Sequence, residues 1–179
     1  MRKIAFLRGI NVSGHHKVPM KELCNLFLKL GFENVSTLLN SGNVIFDSKE
    51  NNNSELESFI SSSLEKHFGF PIPTIVADAN DLLKVLAKNP FKKVKVHKDI
   101  RLYVSFLKTE PKINLKLPWE SEDKTYQILE LKDRKIFSFL DLSLTKTTKA
   151  MDSLEKLFGK EITTRNWNTI EKIGEKLEN

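Results

Sequence analysis

Between residues 3 and 77 the apolar positions change period in a fixed order: strand, helix, strand, strand, helix, strand. Few folds accept that order. Residues 3–10 are apolar at both parities (Ile4 and Phe6, Ala5 and Leu7), the pattern of a strand covered on both faces. Residues 19–30 carry Met20, Leu23, Phe27 and Leu30 at helical spacing. Pro19 falls in the first turn, where an N–H has no helical partner, and Gly31 is the stop. Residues 34–40 and 43–47 read as strands joined by Asn40-Ser41-Gly42-Asn43, a turn whose Gly and Asn permit positive φ. Ser54 with Glu57 has the form of a capping box. The helix it opens has Leu56, Phe59, Ile60, Leu64 and Phe68 inward and ends at Gly69. Residues 72–77 are a fourth strand, and Asp78 can cap a further helix over 79–89 that stops before Pro90. Such an order describes a split βαβ unit, also called ferredoxin-like or an alpha-beta plait.

The second half repeats the pattern less completely. Residues 91–99 read as a connection, and KKVKVHK within it is a solvated basic edge in the first reading and a phosphate-tracking patch in the second. Residues 100–107 form an apolar strand. Pro111 and Pro118 leave room only for a short, broken helix over 109–123. A hairpin over 125–131 and 135–140 turns at Lys132-Asp133-Arg134, and a helix over 148–158 stops at Gly159. A short strand over 161–164 leads to a last helix, with Asn168 and Glu171 as its capping box and Trp167, Ile170, Ile173 and Leu177 inward. The expected chain is therefore α+β, with two ferredoxin-like units in tandem followed by a C-terminal helix. The first covers 1–90 with its extra helix at 79–89; the second, eroded copy covers 100–179. The duplication is one of pattern, without a residue-by-residue repeat.

Topology locates a candidate site. In a split βαβ unit the end of strand one and the turn between strands two and three share one edge of the sheet. LRGINVSGHHK and NSGN should be neighbours there, which gathers Arg8, Gly9, Asn11, Lys17, Asn40, Ser41 and Asn43 near a helix start. A helix start carries partial positive charge and unpaired N–H groups, and Arg and Lys add whole charges suited to phosphate or carboxylate. The net charge of +6 and pI near 9.3 favour anionic partners in the same direction. Against this, Pro19 removes one donor, and Gly9 and Gly14 match neither a Walker loop nor a dinucleotide fingerprint. Asn, Ser and Gly are also ordinary turn residues, and a structural hydrogen bond is the plain alternative for Arg8.

Other chemistries are poorly represented. Adjacent His15 and His16 do not readily share one metal, and His67 and His97 are remote in sequence, so neither a metal nor a cofactor is expected. Cys24, the one cysteine, reads as a core residue and excludes an internal disulfide. A cytoplasmic location suits that composition. The run MRKIAFLRGI is interrupted by Arg8 and reads as a strand, and no apolar run reaches the length of a membrane span. No nucleophile elbow, triad order or acid pair stands out, so no catalytic residue is assigned and enzymatic activity stays uncertain, leaning towards none.

The segments LRGINVSG, KVPMKEL, LGFENVSTLLNSGNVIF and TTRNWNTIEKI resemble a bacterial family known as domain-of-unknown-function family 1697, over nearly the whole chain. The resemblance implies an α+β protein of two ferredoxin-like parts in a bacterial cytoplasm, and no reaction. Its motifs fall on Arg8, Gly9, Asn11, Lys17, Ser41, Gly42, Asn43, Thr164, Arg165, Asn166 and Asn168, with Ser13 where the family's loop has a second glycine. Arg165 and Asn166 thereby join the candidate ligand-binding residues. The leading expectation is a binding protein for an anionic, phosphate-bearing small molecule. A nucleic-acid-binding protein and a structural or interaction module without ligand are the alternatives. Phe6 and Phe46 are expected in the core, which disfavours base stacking on the sheet. The oligomeric state is not readable.

Overall fold

Strand β1 (Arg2–Leu7) is the inner strand on which the first half is assembled. It pairs antiparallel with β3 (Asn43–Asp47) on one side and with β4 (Thr74–Asp78) on the other. Strand β2 (Glu33–Leu38) completes a sheet of order β2-β3-β1-β4, so β3 does lie between β1 and β2. Helices α1 (Met20–Lys29) and α2 (Asn53–Phe68) supply Leu23, Phe27, Leu56, Ile60 and Leu64 to a core shared with Ala5, Leu7, Val44, Phe46 and Val76 of the sheet. The opposite parity of β1 is buried too: Ile4 and Phe6 are as inaccessible as Ala5. This computed structural model describes residues 1–12, 14–144 and 146–178, without the side chains of 147–149, and the expectation attached to Ser13 lies outside the described residues. Two compact units divide the chain, Met1–Lys84 and Val85–Asn179, with the division inside α3 (Ala79–Lys88).

The second unit contains β5 (Ile100–Leu107), β6 (Trp119–Glu120), β7 (Tyr126–Lys132), β8 (Lys135–Asp141), α4 (Thr147–Phe158), β9 (Ile162–Asn166) and α5 (Trp167–Glu178). Its antiparallel sheet has the order β6-β7-β8-β5-β9. Without β6, that order is β7-β8-β5-β9, which matches β2-β3-β1-β4 place for place. Where the first unit has α1, the second has no helix: the two prolines leave irregular chain over 108–118 and then β6. The β7–β8 hairpin turns on Asp133 and Arg134 alone, both at positive φ as a type I′ turn requires. Strand β7 is bulged. Ile128 pairs with Ser138 and Glu130 with Phe137, which leaves Leu129 without a cross-strand partner.

Several helix ends differ from the sequence reading. Pro19 is the N-cap of α1, one place before the first helical residue. The cap of α2 is Asn52, whose side-chain Oδ1 accepts from the N–H groups of Ser54 and Glu55. Glu57 is instead buried, and its Oε1 accepts from Val76 N–H at 3.0 Å, closing a donor on β4, the sheet's edge. Asp78 ends β4, and its carboxylate receives Lys3 Nζ at 2.5 Å and Asn53 Nδ2 at 3.0 Å. Strand β9 runs directly into α5, so Asn168 lies inside the helix. No helix among the described residues is long and apolar enough to cross a membrane.

Candidate functional site

The end of β1 is held from both sides by backbone. Leu7 N–H donates to Gly42 O at 2.8 Å, and Arg8 N–H donates to Pro73 O at 2.9 Å. The first of these bonds ties the loop after β1 to the turn between β2 and β3, the two stretches that topology placed together. That turn is longer than expected. Strand β2 stops at Leu38, so residues 39–42 form the turn, with Leu39 and Gly42 at positive φ. Gly42 is packed as well as turned: a Cβ there would meet Leu7 Cβ at 2.7 Å and Ile10 Cδ1 at 2.8 Å.

Asn11 makes the second tie. Its Nδ2 donates to Asn40 O at 2.9 Å and to Val18 O at 3.0 Å, while its Oδ1 accepts from Val18 N–H at 2.8 Å. Its φ of 55° is one that Asn tolerates better than most residues. Asn11 therefore clamps the two ends of its own loop and the neighbouring turn. Asn43 is committed in the same way: fully buried, it donates from Nδ2 to Leu38 O and to Ser41 Oγ, both at 3.0 Å. Asn11→Ala should lower the stability of the first unit by about 1 kcal/mol in urea titration, since it removes three hydrogen bonds and leaves the N–H and carbonyl of buried Val18 without the amide. Asn11→Gly keeps the backbone freedom and loses only the bonds, so a similar loss there assigns the effect to the amide.

His16, which the sequence reading used only to argue against a metal, braces the loop. Its ring stacks on Phe70, with centroids 4.4 Å apart and planes 15° apart. Its Nδ1 lies 3.2 Å from Gly9 O. A carbonyl only accepts, so that bond makes Nδ1 the protonated nitrogen. Nothing in the local pattern marks this role, because Phe70 is remote in sequence.

The cations of this edge are Arg8, half-buried at the end of β1, and Lys17, exposed one residue before Val18. Three residues after Lys17, α1 begins with no side chain capping it. Pro19 sits at the N-cap, so the N–H groups of Met20, Lys21 and Glu22 are all retained. Glu22, the acidic residue of that turn, lies 2.8 Å from His67 Nε2. The arrangement is an ordered edge with two cations and an uncapped helix start.

Arg165 and Asn166 belong to the second unit, on β9. Arg165 is only 8% exposed, donates to Thr163 Oγ1 at 2.9 Å and Thr164 O at 3.0 Å, and has its pKa lowered by burial to about 10. Its guanidinium thus stays charged at neutral pH. Phe6 and Phe46 are fully buried, so neither ring is available to a base. Among the described residues no group of three His, Cys, Asp or Glu side chains gathers as a metal site.

The sequence family described as "Protein of unknown function (DUF1697)" matches residues 1–137. Among solved structures the chain is similar to the conserved bacterial protein SP0830 from Streptococcus pneumoniae, with a TM-score of 0.75 and 27% sequence identity. That likeness covers 99% of this chain and 98% of the other. No curated protein matches.

Proposed function

The chain belongs to the DUF1697 family of proteins of unknown function, and from that premise we propose that it is a cytoplasmic binding protein whose first unit takes a small phosphate-bearing ligand. The strand orders support reading both units as ferredoxin-like, the second a duplicate that lacks the first helix. The observation that carries the binding reading is the uncapped start of α1 beside Lys17, on a loop fastened to the neighbouring turn by Asn11 and Gly42. Retained N–H groups and whole positive charges are what a phosphate needs. In this reading Arg8, Lys17 and the α1 N–H groups make the contacts. Gly9, Asn11, Asn40, Ser41 and Asn43 hold the frame. An anion that fits such an edge is recognised through its phosphate, and the rest of the molecule is chosen elsewhere.

The test is calorimetric titration of the full chain with inorganic phosphate and a panel of phosphorylated metabolites. Replacing both Arg8 and Lys17 by Ala should weaken binding about 10- to 100-fold, the loss expected for two charge-assisted contacts at an exposed site. Equal affinity in the variant and the parent, for every ligand that binds, overturns the reading.

A further inference from the structure

We propose that the second unit holds a separate nucleotide pocket, on the face of its sheet opposite α4. A cavity of about 730 Å³ opens there, inside the range of small-ligand sites. It is lined by Phe139 of β8 and by Gln127, which sits directly opposite in register on β7, together with Pro90, Pro118, Lys93 and Lys95.

Four observations fit a planar base carrying a phosphate. First, Phe139 is partly buried, lines the cavity and packs on no other ring among the described residues, while Phe91 and Phe137 nearby are both ring-paired. An aromatic ring that lines a cavity on a sheet can serve as a stacking platform for any base. Second, the bulge at Leu129 shapes the lining. Leu129 and Glu130 both line the cavity, although regular pleating sends adjacent residues to opposite faces. Third, two cations line the cavity. Both oxygens of Glu130 receive Lys88 Nζ, at 2.6 and 2.9 Å, so the carboxylate of Glu120, bonded to Gln127, is the anion that borders the cavity against Lys93 and Lys95. Fourth, the two lysines are not on a loose linker. Phe91 is buried against Phe137 and Trp167, and its carbonyl accepts from Val94 N–H at 2.8 Å. The KKVKVHK run thus begins on an anchored turn. Gln127 Nε2 donates to Glu120, which fixes the amide plane and leaves its carbonyl oxygen for an exocyclic amino group.

The ligand chemistry is a nucleotide, free or as the end of a single strand. The experiment is amide chemical-shift titration of the full chain with the four 5′-ribonucleotides and a mixed-sequence single-stranded hexanucleotide. Inorganic phosphate and adenosine serve as part-ligands. A nucleotide should shift residues 93–95, 127–130 and 139, and bind at least tenfold more tightly than either part. Replacing both Lys93 and Lys95 by Ala should weaken it at least tenfold and flatten its salt dependence. Phe139→Leu should remove the advantage of nucleotide over phosphate. A hexanucleotide that binds more tightly than the mononucleotides identifies a strand; equal affinity identifies the free nucleotide. In the Arg8 and Lys17 double variant the titration curves at residues 93–95, 127–130 and 139 should be those of the parent, whatever that variant loses at the first unit, which separates this pocket from the site proposed there. Absence of shifts at these residues overturns the proposal. So does equal response to phosphate alone, or loss of binding only in the Arg8 and Lys17 variant.

Discussion

Gly42→Ala should lower the unfolding free energy of the first unit by about 2–4 kcal/mol, adding about 1 kcal/mol or more for left-handed backbone to about 1–3 kcal/mol for overpacking. The backbone part follows from φ of 73°, and the packing part from a Cβ placed 2.7 Å from Leu7 Cβ. Leu7 Cβ is fixed to the backbone of β1, and Leu7 N–H is itself bonded to Gly42 O, so neither side can withdraw without breaking the bond. Gly69→Ala is the matched control. Its φ is 80° and nothing lies within 4 Å of a Cβ, so it carries the backbone part alone, about 1 kcal/mol. The readout has to be chosen with care. Trp119 and Trp167 both lie in the second unit, so urea titration followed by far-ultraviolet circular dichroism is compared with tryptophan fluorescence. The circular dichroism transition should move to lower urea, and a fluorescence transition that stays in place would mean that the two units unfold separately. Equal costs for the two glycines would remove the packing argument.

Asp78→Ala should cost about 2–4 kcal/mol, because it strips the carboxylate from a buried ammonium. Lys3 is 1% exposed, and its Nζ has three acceptors: Asp78 Oδ1 at 2.5 Å, Asn53 Oδ1 at 2.8 Å and Asn51 O at 3.2 Å. The figure is set below that of a fully enclosed pair because the Asp78 side chain is 36% exposed and water reaches it. The same asymmetry makes Lys3→Met the milder change, below about 2 kcal/mol: a flexible apolar chain fills the space, and the carboxylate left behind is hydrated. Urea midpoints should therefore rank parent, Lys3→Met, Asp78→Ala. The reverse order would mean that the pair acts mainly through packing of the lysine stem.

The first sheet was legible because its signals are local and redundant. Period, stops at Gly31 and Gly69, and connection lengths all specified one strand order, and that order forced the loop after β1 towards the turn at residues 39–42. What each polar residue does there was not legible. Asn11 and Asn43 look like ligand groups in a motif, yet they bond to Asn40 O, Val18 and Leu38 O, choices made only once the backbone is in place. The run Asn51-Asn52-Asn53-Ser54 offers several equivalent caps, and Glu57 was drawn inward by an unpaired donor on an edge strand that no local pattern reveals. In the second unit Pro111 and Pro118 pointed to a short, broken helix over 109–123, and the chain over 108–118 is irregular instead. The cavity at Phe139 was not legible, because a single inserted residue leaves no mark on a short apolar strand.

That inserted residue separates what makes the second sheet fold from what lines its cavity. Tyr126, Ile128 and Leu131 turn towards the core on α4's side, while Gln127, Leu129 and Glu130 turn away from it. Take Leu129 out, and Ile128, Glu130 and Leu131 alternate as an ordinary strand, with the pairs Ile128–Ser138, Glu130–Phe137 and Leu131–Ile136 unchanged. The core therefore makes no demand for Leu129. A one-codon deletion would give a sheet of the same topology with a plainer surface, so the shape of this outer face is set by a residue that the core does not require.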